Sequence, residues 1–129
     1  MKKITILGST GSIGTQALDV IAQHPDRFET ELLTANNNSK LLIEQAKKFR
    51  PNSVVICNKD LYDEVNKELD PLDIKVFAGI ESAGELAGGS NVDIVLAAMV
   101  GFSGLAPTMA AMRRGKIIAL ANKETLVAA

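Results

Sequence analysis

Residues 4–14 read ITILGSTGSIG, a short apolar run followed by three glycines spaced three residues apart. The apolar run predicts a strand. A helix is predicted over residues 12–23, because Ile13, Ala17 and Ile21 recur on one helix face. A strand, a glycine turn and an amphipathic helix are the first units of a parallel α/β fold. This stretch therefore decides the predicted fold.

The rest of the chain repeats the alternation of strand and helix. Further strands are predicted from short apolar runs at residues 30–34, 53–57, 74–77, 92–97 and 116–120, after the first at 3–7. Further helices are predicted from apolar spacing at residues 40–50, 61–69, 80–87 and 106–114. Short loops join them, so we expect a Rossmann-like doubly wound parallel sheet with helices on both faces.

Composition narrows the class of protein. The 129 residues are the size of one ordinary domain, 47% are hydrophobic, and the net charge is −1 with no block of like charges. We therefore expect no nucleic-acid partner and no membrane partner. The single cysteine, Cys57, excludes an internal disulfide and a cysteine-built zinc site, and the cytoplasm is the expected compartment.

The glycine loop, residues 8–14, has the spacing of a phosphate-binding turn. Gly8 would let the backbone turn, Gly11 would let a pyrophosphate approach the main chain, and Gly14 would let the helix pack on the strand. Unpaired N–H groups at the helix start attract anions, and Thr10 and Ser12 carry hydroxyl donors. The alternative is a turn that only joins strand to helix.

The end of the second strand indicates which dinucleotide is bound. An NAD site has Asp or Glu about 20 residues after the glycines, where it binds the ribose 2′-hydroxyl. Residues 34–39 read TANNNS and contain no acid. The asparagines of residues 36–38 would not repel a 2′-phosphate, and Lys40 follows within reach, so we expect NADP. The same asparagines also suit a turn that caps the second helix, and both roles are compatible.

Two later loops are expected at the same edge of the sheet, because open α/β sheets bind ligands beyond the carboxyl ends of their strands. Residues 97–101 are small and apolar enough to lie against a cofactor. Asn122, Lys123 and Glu124 follow the last predicted strand, and their position favours a ligand role. The alternative is an ordinary helix start with Asn122 as the cap. Residues 123–129 begin a helix with no stop signal, so we expect a fragment of a longer protein.

Two stretches carry a family resemblance. LGSTGSIGTQALDVI (residues 7–21) and DIVLAAMVGFSGLAPTMAAMRRGKIIALANKETLV (residues 93–127) resemble the N-terminal part of the 1-deoxy-D-xylulose 5-phosphate reductoisomerase family. The resemblance implies rearrangement of 1-deoxy-D-xylulose 5-phosphate and its reduction by NADPH to 2-C-methyl-D-erythritol 4-phosphate, in the non-mevalonate isoprenoid pathway. It also implies a homodimer that depends on Mg²⁺ or Mn²⁺.

The resemblance also implies roles for individual residues. The residues that would hold NADPH are Thr10, Gly11, Ser12 and Ile13 at the pyrophosphate and Asn38 at the adenosine side. The further cofactor-binding residues would be Asn36, Asn37, Asn122 and Glu124. Lys123 would reach the substrate. Members often have Gly-Lys-Asn or Gly-Ser-Asn at residues 36–38, so the partner of the 2′-phosphate stays open.

Residues 1–129 would then be an NADPH-binding domain without catalytic residues or metal ligands of its own. The family's metal and substrate domain and its C-terminal helical domain would lie beyond Ala129, and the fragment alone would be inactive. Two alternatives stay open. One is another NADP-dependent reductase with the same glycine spacing, such as a semialdehyde dehydrogenase or dihydrodipicolinate reductase. The other is a stand-alone NADP(H)-sensing module.

Overall fold

The computed structural model describes residues 1–87 and 92–98, together with the backbone of residues 116–119. The strands are β1 Lys2–Leu7, β2 Phe28–Ala35, β3 Ser53–Ile56, β4 Lys75–Ala78, β5 Ile94–Ala97 and β6 Lys116–Ala119. The helices are α1 Ser12–Gln23, α2 Ser39–Phe49, α3 Tyr62–Leu69 and α4 Ile80–Ala87, with 3₁₀ turns at Lys59–Leu61 and Asp70–Leu72. The predicted helix at 106–114 lies outside the described residues.

The strands pair in parallel in the order β4-β3-β2-β1-β5-β6. The chain moves outward from β1 to β4 and then crosses back to place β5 on the other side of β1. The strand order reverses between β1 and β5, so a crevice opens beyond their carboxyl ends. The predicted parallel α/β fold is confirmed.

Helices cover both faces of the sheet. On one face, Ile6, Leu33 and Val54 pack in a large cluster with residues of α1, α2 and α3. On the opposite face, Leu32 and Val55 pack against Ala83 of α4, in a separate cluster. Neighbouring strand residues thus enter different clusters, because successive side chains point to opposite faces of a sheet. The doubly wound arrangement predicted from the sequence is therefore confirmed.

Helix α2 is displaced by one residue from its predicted bounds of 40–50. The side chain of Asn38 accepts a hydrogen bond from the backbone N–H of Leu41 at 3.2 Å, so the helix begins at Ser39. Arg50 adopts a left-handed conformation with φ 51°, which ends the helix at Phe49. Capping contacts therefore decide both ends. Helices α1 and α4 have their predicted bounds.

The strands also differ from their predicted bounds. Strand β2 is longer than residues 30–34 because Phe28 and Glu29 also pair with β1 and Ala35 pairs with Ile56 of β3. A register shift leaves Glu31 without a partner on β1. Strand β5 begins two residues later than predicted, at Ile94. Strand β3 ends at Ile56, so Cys57 lies just beyond it. Burial raises the pKa of the half-buried Cys57 thiol, and the nearby Glu81 raises it further.

Candidate functional site

The glycine loop leaves the end of β1 through a sharp turn. Gly8 has a φ of 87°, a conformation that favours glycine. Its backbone N–H donates to Thr34 Oγ1 at 3.0 Å, and the N–H of Ser9 donates to the Thr34 carbonyl at 2.9 Å. Both contacts tie the loop to the end of β2. The predicted turning role of Gly8 is confirmed.

A buried polar pair, Ser9 and Gln45, holds the glycine loop against helix α2. The Ser9 hydroxyl donates to Gln45 Oε1 at 2.7 Å, and Gln45 Nε2 donates back to the Ser9 carbonyl at 2.9 Å. Both residues are buried, so each polar group needs its partner. Sequence reasoning missed this pair, because the two residues are 36 positions apart and Gln45 shows no signal beyond lying on the inward side of α2.

Gly14 allows α1 to pack directly on the turn. A Cβ built on Gly14 would lie 2.1 Å from the Gly8 carbonyl oxygen and 2.7 Å from Ser9 Cα, so no side chain fits there. The predicted packing role of Gly14 is confirmed. Gly11 differs, because the nearest heavy atom to its Cβ would be the Gly8 oxygen at 3.8 Å. A side chain at Gly11 would therefore extend into open space at the loop's surface.

The predicted residues of the first two loops surround one cleft. Its volume is about 390 Å³, and its described lining consists of Gly8, Thr10, Gly11, Ser12, Ile13, Asn36, Asn37, Asn38 and Ala98. It lies at the carboxyl ends of β1, β2 and β5, where the topology opens its crevice. The remaining predicted residues, Asn122, Lys123 and Glu124, lie outside the described residues. Lys40 lines a separate depression beside Glu44 rather than this cleft.

The cleft suits an anionic ligand. Helix α1 begins beside it, Gly11 caps the helix without a side-chain hydrogen bond, and no acidic residue lies in the first turn. Backbone N–H groups and the positive end of the helix dipole are therefore left for a ligand. The described lining residues include no carboxylate that would repel a phosphate.

The asparagine loop, residues 36–38, forms the opposite wall. Asn38 caps α2, as the turn interpretation predicts, and the Asn37 carbonyl accepts from the Ser39 N–H at 2.9 Å. Asn58 holds the loop from outside. Its backbone N–H donates to the Asn36 carbonyl at 3.0 Å, and its Nδ2 donates to Asn37 Oδ1 at 3.0 Å. Sequence reasoning also missed Asn58.

A second depression, of about 480 Å³, lies at the opposite edge of the sheet. Its lining includes Lys3, Glu29, Glu31, Arg50 and Asp73, which carry charges of both signs. These residues lie near the amino ends of the strands, whereas open α/β sheets bind ligands at the carboxyl ends. The cleft beside the glycine loop is therefore the better candidate site, although it is the smaller of the two.

Within residues 1–87 and 92–98, no group of three or more His, Cys, Asp or Glu side chains is placed to hold a metal ion. In the same part of the chain, no helix is both long enough and apolar enough to cross a bilayer.

The chain is similar to known proteins in both sequence and structure. Residues 4–129 match the family model described as 1-deoxy-D-xylulose 5-phosphate reductoisomerase. A reductoisomerase of that name from Phocaeicola vulgatus is 56% identical over 128 residues, which are 99% of this chain and 34% of the relative. The Zymomonas mobilis enzyme in complex with NADPH is similar in structure, with a TM-score of 0.86, 39% identity, and coverage of 99% of this chain and 34% of that one.

Another solved structure, of a reductoisomerase with NADPH, fosmidomycin and magnesium, also has a TM-score of 0.86. It is 38% identical, and the match covers 98% of this chain and 31% of that one. The chain thus spans about a third of the length of the relatives that it matches.

Proposed function

This chain belongs to the 1-deoxy-D-xylulose 5-phosphate reductoisomerase family, and from that premise we propose that residues 1–129 are an NADPH-binding domain. The observation that carries the proposal is the cleft beside the glycine loop, where no side chain hydrogen-bonds to the N-terminus of α1 and Gly11 leaves the surface of the loop open. A similar reductoisomerase has been solved with NADPH, which supports this choice of ligand.

The glycine loop holds the pyrophosphate in this proposal. The phosphates would be held over Gly11, where no Cβ intervenes, by the backbone N–H groups of Ser12 and Ile13. Thr10 adds a hydroxyl donor. The asparagine loop holds the adenosine side. Asn122 and Glu124 would also contact the cofactor, as the family resemblance implies.

The whole protein is proposed to convert 1-deoxy-D-xylulose 5-phosphate to 2-C-methyl-D-erythritol 4-phosphate in the cytoplasm, as a homodimer. NADPH supplies the hydride when bound. The role of this chain is to bind and orient the cofactor and, through Lys123, to bring a positive charge toward the substrate. The ligands for Mg²⁺ or Mn²⁺ belong to the part of the protein beyond residue 129, together with the substrate and C-terminal helical domains.

One pair of assays tests the proposal. Titration calorimetry of the 129-residue chain with NADPH is expected to show binding at one site. NADPH oxidation by the same chain, with substrate and Mn²⁺ present, is expected to stay at the background rate. Absence of NADPH binding would contradict the proposed function, and turnover by these residues alone would contradict the proposed division of labour.

A further inference from the structure

One residue, Asn58, connects the loop after β3, to which it belongs, with the asparagine loop after β2. Asn58 lies two residues after the end of β3, at the edge of the sheet that carries the cleft. Its backbone N–H holds the Asn36 carbonyl, and its side-chain Nδ2 holds Asn37 Oδ1, each at 3.0 Å. Asn37 lines the cleft, whereas Asn58 is not among its lining residues. An effect of Asn58 on a ligand in this cleft therefore passes through the asparagine loop.

The orientation of the Asn58 amide is fixed by a third contact. Its Oδ1 accepts from the backbone N–H of Asp60 at 3.0 Å, which caps the 3₁₀ turn Lys59–Leu61. A backbone N–H can only donate, so the amide atom that faces Asp60 must be oxygen. The atom that faces Asn37 must then be nitrogen.

This orientation is passed on to Asn37. Because Asn58 presents a donor, the Asn37 atom that meets it must be the acceptor Oδ1. The Asn37 Nδ2 group then carries two N–H donors on a residue that lines the cleft, so they can be offered to a ligand bound there. Asn58 thus decides whether Asn37 presents an amide nitrogen or an amide oxygen there.

The difference matters for the ribose 2′ position of a dinucleotide. A 2′-phosphate carries negative charge and accepts hydrogen bonds, so it favours Nδ2 and is repelled by Oδ1. A 2′-hydroxyl both donates and accepts, so either orientation of the amide serves it. Resting on the proposed function, we infer that Asn58 is a positioning residue for cofactor choice, which turns the Asn37 amide to donate to the 2′-phosphate of NADPH.

The variant Asn58→Ser isolates this role. Serine is neutral, keeps the backbone N–H to Asn36 and retains an oxygen that can cap the 3₁₀ turn, but it is too short to reach Asn37. The dissociation constant for NADPH is expected to rise on the order of fivefold, the effect of losing one oriented hydrogen bond. The constant for NADH is expected to change less than about twofold. Titration calorimetry of the chain with each cofactor measures both.

A second background tests whether the effect passes through Asn37. In Asn37→Ala, the amide that Asn58 orients is absent. Adding Asn58→Ser is therefore expected to leave the ratio of the dissociation constants for NADPH and NADH unchanged. Thermal unfolding confirms that each variant is folded. Asn58→Thr keeps the same capping oxygen and repeats the measurement if the serine variant is unstable.

The outcomes separate this inference from the proposed function. Failure of the unaltered chain to bind NADPH would contradict the proposed function itself. Suppose instead that the unaltered chain binds NADPH and that Asn58→Ser weakens the binding of NADPH and NADH equally, or weakens the binding of neither. In either case Asn58 has no part in cofactor choice. A shift in the ratio that persists in the Asn37→Ala background would also overturn the inference.

Discussion

The two walls of the cleft are held by different kinds of force. The glycine loop is shaped by close backbone packing, with Gly14 against Gly8 and a buried pair between Ser9 and Gln45. The asparagine loop is exposed and is held by hydrogen bonds from Asn58 and its own cap. Steric exclusion gives way only when the backbone moves, whereas single surface hydrogen bonds contribute about 1 kcal/mol. Substitutions in the glycine loop should therefore displace the backbone, whereas substitutions in the asparagine loop should change the free energy of unfolding by only about 1 kcal/mol.

The largest effect is expected for Gly14→Ala. The added methyl group would lie 2.1 Å from a backbone oxygen, so α1 must shift away from the turn. We expect the free energy of unfolding to fall by about 3 kcal/mol or more, which lowers the Tm by roughly 10 °C. Calorimetric melting measures this change.

Gly11→Ala is the matched control for that substitution. It adds the same methyl group where the nearest atom is 3.8 Å away, so its stability change is expected to stay within about 1 kcal/mol. Equal melting temperatures for the two alanine variants would show that packing does not distinguish the two glycines.

Gly11→Val tests the surface of the same wall. The backbone of Gly11, with φ −79° and ψ 175°, is extended and accepts valine without strain. The branched side chain would occupy the space proposed for the pyrophosphate, so NADPH affinity is expected to fall at least about 100-fold while the far-UV circular dichroism is retained. Gly11→Ala should give a smaller loss. If the valine variant bound NADPH with unchanged affinity, the pyrophosphate would not lie at this position.

The smallest effect is expected for Asn38→Ala in the asparagine loop. The variant loses the hydrogen bond to the Leu41 N–H that caps α2, which costs about 1 kcal/mol in the free energy of unfolding. Asn38→Ser keeps a capping oxygen and should stay within about 0.5 kcal/mol of the original chain. Urea denaturation distinguishes them. If Asn38→Ala lowered the free energy of unfolding as much as Gly14→Ala, the asparagine loop would be as rigid as the glycine loop.

The candidate site was predictable wherever the signal was local. The glycine spacing between a strand and a helix predicted the turn at Gly8 and the packing at Gly14. Both follow from backbone sterics within a few residues. The bounds of α2 were displaced by one residue, because the Asn38 cap and the left-handed Arg50 depend on a specific conformation rather than on apolar spacing.

The contacts that hold the two walls were not predictable in the same way. Ser9 and Gln45 are 36 positions apart, and Asn37 and Asn58 are 21 apart. Nothing in the local sequence of either pair indicates its partner. Asn37 and Asn58 meet because parallel pairing brings the carboxyl ends of β2 and β3 to one edge. Ser9 meets Gln45 because the buried side of α2 packs beside the end of β1.

The sequence by itself determined the order of strands and helices, the glycine turn and the acid-free second loop, because apolar periodicity and glycine conformation act over a few residues. Only the tertiary structure decided which side chains support that site. The buried Ser9 in the glycine loop takes its partner, Gln45, from helix α2, and the Asn37 amide is held by Asn58 on another loop. Hydrogen bonds of this kind depend on distances that exist only after the sheet has formed.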